Sequence, residues 1–299
     1  MSEPVSEPGA RRILGIGDLT TAEIDAVLGR ADALADGAVP ARLTGVVGLG
    51  MFETSLRTRA GFSSAAQRLG LGVVEVDARR ASELSMPESL SDTVRALSGY
   101  VDALVVRAPG PAATLSGAAR EDVPWLNAGD RGERAEHPSQ ALIDVFAMER
   151  LVGPVGELRV ALCGDLRMRA AQSLLALLAR RPPRDTTIVS HPDIGGSGIL
   201  PPALAPLARH AGRGDLHDID VLVAVGIPHG AVGEDVRARL RVDTAMLAGM
   251  KPDAIVLSPM PIIDEIATPA RRDPRMRYFV QSDLGLFIRI ALLEMLLGT

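Results

Sequence analysis

Short apolar runs alternate with helix-patterned segments along nearly the whole 299-residue chain, and that alternation restricts it to a parallel α/β architecture. Strand-like runs fall at 45–52, 72–76, 102–107 and 123–126, then at 158–163, 186–190, 219–225 and 253–257. A Gly- and charge-rich stretch near 128–137 separates the two sets. The predicted fold is therefore α/β, with two doubly wound parallel-sheet domains, 1–134 and 135–283, joined by bridging helices. Thr20 and Glu23 form a capping box for a helix carrying Ile24, Val27, Leu28, Ala31 and Leu34. A final helix is expected at roughly 283–297, with Leu286, Ile290, Leu293 and Leu297 on one face. Residues 1–11 read as disordered.

The first strand-to-helix junction carries the strongest chemical signal. The apolar run Val46 to Phe52 leads into Ser55, Leu56, Arg57, Thr58 and Arg59, and then Phe62, Ala65, Ala66 and Leu69 follow with helical spacing up to Gly70. Free backbone N–H groups and the positive end of the helix dipole meet at such a junction, which suits an anion. Two guanidiniums could clamp it with paired hydrogen bonds. Taken alone, the same pattern also fits a solvated helix start with two surface arginines.

A second segment, Asn127-Ala128-Gly129-Asp130 followed by His137-Pro138-Ser139-Gln140, narrows the reading. Together with Asp92-Thr93, the Val105 to Pro109 strand end, Cys163-Gly164-Asp165-Leu166, Asp264 to Thr268 and the C-terminal Gly285-Leu286-Phe287, these motifs resemble the aspartate/ornithine carbamoyltransferase family nearly end to end. The aspartate branch fits best. The resemblance implies a carbamoyl-phosphate-binding domain over 1–134, with the C-terminal helix 284–299 packing back on it, and an acceptor domain over 135–283. It implies no cofactor and no covalent intermediate, because carbamoyl phosphate is already activated; positioning and electrostatics do the catalysis.

By resemblance, Ser55, Arg57, Thr58 and the backbone around Leu56 hold the phosphate. Arg107, at a strand's C-terminal end, touches phosphate and carbonyl. His137 donates to the carbonyl oxygen, and Gln140, one helical turn on, receives the carbamoyl NH2. The catalytic set is then Arg57, Thr58, Arg107 and His137. Ser82 matches a serine that the family inserts into a neighbour's site, which implies a homotrimer with shared active sites. A regulatory chain or a dihydroorotase partner stays an open option.

The departures concern one loop and the acceptor side. The family's loop lysine is replaced by Met86, with Arg79 or Arg80 as out-of-register substitutes. Leu56 stands where the phosphate loop usually has threonine. Arg169 aligns with the arginine for the acceptor's α-carboxylate, and Arg167 competes for that role. The Arg-x-Gln that grips aspartate's second carboxylate falls on Gly226-Ile227-Pro228, and His-Pro-Leu-Pro-Arg reads Ser258-Pro259-Met260-Pro261-Ile262. Losing a buried guanidinium–carboxylate contact costs about 2–5 kcal/mol. Efficient use of aspartate is therefore not expected, and the cysteine motif of ornithine enzymes is absent from this loop.

Composition removes other classes. A net charge of −5 and 3% aromatic residues argue against nucleic acid. No uninterrupted apolar run reaches about 18 residues, so no membrane span is expected. The one cysteine, Cys163, lies in an apolar strand and reads as core in a reducing cytoplasm. His210, His217 and His229 match no metal-ligand spacing. Three readings stay open: carbamoyl transfer to another amine, an inactive paralogue acting as scaffold or regulatory subunit, and an aspartate enzyme of pyrimidine biosynthesis with relocated anchors.

Overall fold

The computed structural model describes residues 10–77 and 88–298, and among these the two sets of strands form two five-stranded, wholly parallel sheets. The first contains β1 (Arg12–Ile13), β2 (Val46–Met51), β3 (Gly72–Asp77), β4 (Ala103–Arg107) and β5 (Trp125–Asn127), in the order β1-β5-β4-β2-β3. Its helices are α1 (Thr21–Ala35), α2 (Leu56–Leu69), α3 (Leu90–Leu97) and α4 (Ala112–Ala118). The second sheet contains β6 (Arg159–Gly164), β7 (Asp185–Val189), β8 (Ala208–His210), β9 (Val221–Val225) and β10 (Ile255–Leu257), in the order β10-β9-β6-β7-β8. Around it lie α5 (Pro138–Leu151), α6 (Arg169–Arg180), α7 (Pro192–Gly195), α8 (Glu234–Leu240), α9 (Thr244–Ala248) and α10 (Tyr278–Leu297).

Every residue of β4 and β9 is buried, as expected of central parallel strands covered by helices on both faces. Register places Met51 beside Arg107 and Gly164 beside Val225, so the strand ends that deliver chemistry are level within each sheet. The helix signals read from sequence hold. Thr20 and Glu23 make their reciprocal cap, and Ile24, Val27, Leu28, Ala31 and Leu34 are buried. Phe62, Ala65, Ala66 and Leu69 are buried too, and α2 ends on Gly70 at φ 85°, a left-handed cap that favours glycine.

One continuous apolar core runs through both halves, from Leu49 and Leu126 through Phe146 to Leu162 and Val223. It is continuous because α5 packs on both α6 and α10, while α10 lies against α1 and α2. The bridging expected of these helices is therefore present. Three details differ from the sequence reading. Strands β1 and β8 were not expected, since two residues and the polar Arg209-His210 give no apolar run. Helix α10 begins at Tyr278 rather than 283, its first turn burying Tyr278 and Gln281. Within 1–11, Ala10 N–H donates to Glu121 O and Arg11 pairs with Glu23, so these two residues are placed by the fold. Among the described residues no helix is long and apolar enough to cross a membrane.

Candidate active site

The loop between β2 and α2 and the end of β4 meet at the carboxyl edge of the first sheet, where Phe52 N–H donates to Arg107 O at 3.0 Å. Ser55 caps α2: its Oγ accepts from Thr58 N–H at 3.3 Å and donates to Thr58 Oγ1 at 2.9 Å. Thr58 is thereby buried, while the Leu56 side chain is 77% exposed and can contribute only backbone. Of the two arginines that the sequence offered as an anion clamp, Arg59 pairs with Glu75 at 2.7 Å and is not available. Arg57, in contrast to Arg59, has no hydrogen-bond or ion-pair partner among the described residues, and burial depresses its pKa.

Arg107 is buried, with Nη1 donating to Ala128 O at 3.2 Å and lying 3.4 Å from His137 Nε2. Burial first, then repulsion from Arg169, pushes its pKa down to about 10 against the pull of Glu53. The Asn127-Ala128-Gly129-Asp130 motif shapes the floor beneath it. Gly129 has φ 111°, and a Cβ there would sit 2.7 Å from Arg107 Nη1 and 3.1 Å from the His137 ring. Asp130 ties the surrounding backbone together by accepting from Ala112 N–H and Glu136 N–H.

His137 starts α5, its N–H donating to Ser173 Oγ at 2.8 Å. Burial, reinforced by Arg107 and Arg169, lowers its pKa well below 6.5, so the imidazole is neutral near pH 7. Its ring nitrogens lie 3.4 Å from Arg107 and from Ser139 Oγ. Those are contacts rather than firm hydrogen bonds, and they leave an N–H to offer a ligand. Gln140 Nε2 donates to Asp144 Oδ1 at 2.6 Å, which leaves Oε1 for an incoming donor. Asp144 also accepts from Gln281 Nε2 at 2.5 Å, and Gln281 Oε1 takes Ser258 N–H at 3.0 Å. A side-chain relay thus links α5, α10 and the 258–261 loop. Burial pushes the Asp144 carboxyl up to about 7 despite both amide bonds.

Glu53 was not picked out from sequence as a site residue, yet it organises the edge. Its Oε2 accepts from Arg107 Nη2 at 2.9 Å and Arg169 Nη2 at 2.6 Å, and its Oε1 pairs with Arg131 Nε. Burial would raise the Glu53 pKa; hydrogen bonding and charge from Arg169, with Arg107 and Arg131, hold it below the ordinary value. Arg169 also donates to Asp130 O at 2.6 Å. Arg167, the competing choice, is spent on Asp165 at 2.9 Å and faces solvent.

On the second sheet, Gly226 and Pro228 follow the end of β9, and Arg237 Nη1 donates to Ile227 O between them. A side chain at Gly226 would approach Glu265 Oε2, 3.8 Å from its Cβ. Met260 (φ 50°) lines a cleft with Arg57, Gln140, Ser258, Gln281 and Arg289; Pro261, joined to it by a cis peptide bond, does not. Ser82 and Met86 lie outside the described residues. Cys163 is core, its thiol pushed up to about 12 by burial. His210, His217 and His229 are exposed, and no metal-ligating group of His, Cys, Asp or Glu occurs among the described residues.

Residues 11–150 match the family model described as the aspartate/ornithine carbamoyltransferase carbamoyl-P binding domain. The catalytic subunit of aspartate carbamoyltransferase from Archaeoglobus fulgidus is 32% identical over 295 residues, covering 95% of this chain and 98% of that one. The same subunit from Halorubrum lacusprofundi is 35% identical, covering 93% and 92%. The crystal structure of aspartate transcarbamoylase from Trypanosoma cruzi in complex with carbamoyl phosphate and aspartate superposes with a TM-score of 0.84 at 30% identity, over 97% of this chain and 96% of that one.

Proposed function

The chain belongs to the aspartate/ornithine carbamoyltransferase family, and we propose that it transfers the carbamoyl group of carbamoyl phosphate to the amino group of an amino-acid-like acceptor other than aspartate. The observation that carries this reading is the convergence of Arg57, Arg107, His137 and Gln140 on one edge, with an unpaired guanidinium, a neutral imidazole and a free amide oxygen. Residues 1–134, with α10 packed back on this half, would hold the donor, and 135–283 the acceptor.

The uncharged acceptor amine attacks the carbamoyl carbon. The C–N bond forms, the bond from carbon to the bridging phosphate oxygen breaks, and phosphate leaves with that electron pair. The proton lost from nitrogen leaves with phosphate or to water. The α2 N-terminus with Ser55, Thr58 and the Leu56 backbone receives the phosphate, and Arg57 offsets the charge that grows on it. His137 gives its N–H to the carbonyl oxygen as this becomes an oxyanion. Gln140 Oε1 accepts from the carbamoyl NH2. Arg107 and Arg169 are both bound to Glu53 in the ligand-free site, so substrate phosphate and carboxylate compete with that carboxylate for them.

Arg169 would keep one acceptor carboxylate. Gly226, Pro228, Met260 and Pro261 offer no cation for a second, which favours a small or apolar acceptor tail. Transfer to aspartate is the second reading; it is favoured by the relatives, which are catalytic subunits of aspartate carbamoyltransferases, and Arg131, once released from Glu53, would serve as a relocated anchor. A scaffold role is disfavoured by the retained donor residues Ser55, Arg57, Thr58, Arg107, His137 and Gln140. Ser82 from a neighbouring copy would complete the site in a cytoplasmic homotrimer.

Calorimetric titration with fresh carbamoyl phosphate, with Arg57→Ala as control, tests the donor reading. Micromolar binding that disappears in the variant supports it. Silence from a folded protein removes it and leaves the scaffold reading; where binding is seen, a screen of amines against aspartate identifies the acceptor.

A further inference from the structure

Arg289 is a buried cation without a counter-charge. It sits in the middle of the apolar stretch of α10, is 6% exposed, and makes no hydrogen bond or ion pair among the described residues; its Nε is orphaned. Its guanidinium lies 5.6 Å over the Phe62 ring, which offsets part of its desolvation. The other cation on the cleft it lines, Arg57, repels it and is unpaired as well.

The fold makes room for this arrangement. A Cβ at Gly61 on α2 would fall 2.7 Å from Arg289 Nε, and a Cβ at Gly285 on α10 would fall 2.7 Å from its Nη1. Two glycines, one on each packed helix, therefore keep open the slot through which the guanidinium passes. Desolvating an isolated cation costs several kcal/mol, and two such cations side by side are worse. A structural arginine in the protein interior is ordinarily paired with a carboxylate or with carbonyl groups; here the cleft offers Gln140, Ser258 and Gln281 but no carboxylate.

We propose that Arg289 is a further phosphate-binding residue of the donor site, reaching from the last helix to share with Arg57 the dianionic end of carbamoyl phosphate. The inference rests on the donor-site reading above and adds to it a cation that the phosphate loop does not contain.

The test is calorimetric titration with carbamoyl phosphate and with inorganic phosphate, on wild type, R289Q, Arg289→Met and Arg289→Lys, together with thermal melts with and without phosphate. Expected is a loss of about 10- to 100-fold in affinity for both probes in the two charge-free variants, with Arg289→Lys retaining most of it. Without ligand the charge-free variants melt no lower than wild type, because they lose an uncompensated buried charge, but phosphate no longer raises their melting temperature. A folded R289Q that binds both probes as wild type does overturns the inference while leaving the donor site standing. If neither charge-free variant folds and Arg289→Lys does, the cation is structural and the inference also fails. A wild type silent to both probes removes the donor reading itself.

Discussion

Arg169 Nη2 lies 2.6 Å from Glu53 Oε2, a bond that joins the first turn of α6 to the loop after β2. The arginine proposed for the acceptor is thereby held by the loop proposed to bind the donor, and Arg107 shares the same carboxylate oxygen. One anion among three guanidiniums positions them, and in the proposed reaction it would compete with substrate for them. Removing the charge separates the two effects. Glu53→Gln should bind inorganic phosphate several-fold more tightly, because Arg107 is released, while kcat/KM for the acceptor falls about 10- to 100-fold, because Arg169 loses its tether. Phosphate titration and steady-state kinetics on one preparation check both; weaker phosphate binding in the variant would contradict the competition.

Gly129 permits Arg107 and His137 to approach each other. With φ at 111° and a would-be Cβ 2.7 Å from Arg107 Nη1, Gly129→Ala carries backbone strain and displaces the guanidinium. The expected cost is about 1–3 kcal/mol of stability in denaturant melts, with carbamoyl phosphate affinity reduced at least about tenfold. A variant with unchanged affinity would show that Arg107 reaches the donor from another position.

The sheets and the helix start of the candidate donor site were legible because their signals are local. Alternating apolar runs mark strands such as Ala103–Arg107, and Ser55, Arg57 and Thr58 lie within four residues at one helix start. Glu53 was not legible as a site residue: its partners Arg107, Arg131 and Arg169 are 54, 78 and 116 residues away in sequence, and only the crossover topology brings them together. Arg289 did leave a signal, a lone charge between Phe287-Ile288 and Ile290-Ala291-Leu292-Leu293. Read for periodicity alone, that run looks like plain core. Arg59 misled for the opposite reason, since its neighbour in space, Glu75, belongs to the next strand.

The buried pair His137 and Asp144 makes opposed contributions to stability as pH changes. The His137 pKa is depressed in the fold, so below about 6.5 the unfolded chain takes up a proton that the native one does not, and acid destabilises. The Asp144 pKa is raised to about 7 from 3.8, so between these values the native state holds the extra proton, and rising pH destabilises. From about pH 4 to 6.5 the two slopes offset each other. Asp144→Asn removes one of them. Its stability relative to wild type should climb by up to about 1.4 kcal/mol per pH unit from pH 4 to 7, read from denaturant melts. A flat difference would mean that Asp144 is ionised in the fold.

Gly226 and Pro228 are the positions at which the proposed acceptor choice would be reversed. An arginine at 226 would find Glu265 beside it, since the carboxylate lies 3.8 Å from the Cβ position. Gly226→Arg with Pro228→Gln recreates the Arg-x-Gln pair of the aspartate branch on the same strand end. If the native acceptor lacks a second carboxylate, the double variant should raise kcat/KM for aspartate at least about tenfold, one buried charged hydrogen bond being enough for that factor. The KM should fall and kcat change little, because the added contact lies away from the reacting nitrogen. If wild type already turns over aspartate efficiently and the double variant is slower, the second carboxylate is held elsewhere, with Arg131, which would have to leave its pairing with Glu53, the cation to test. That outcome would make the chain an aspartate enzyme with relocated anchors, and Arg131→Gln would then abolish the preference.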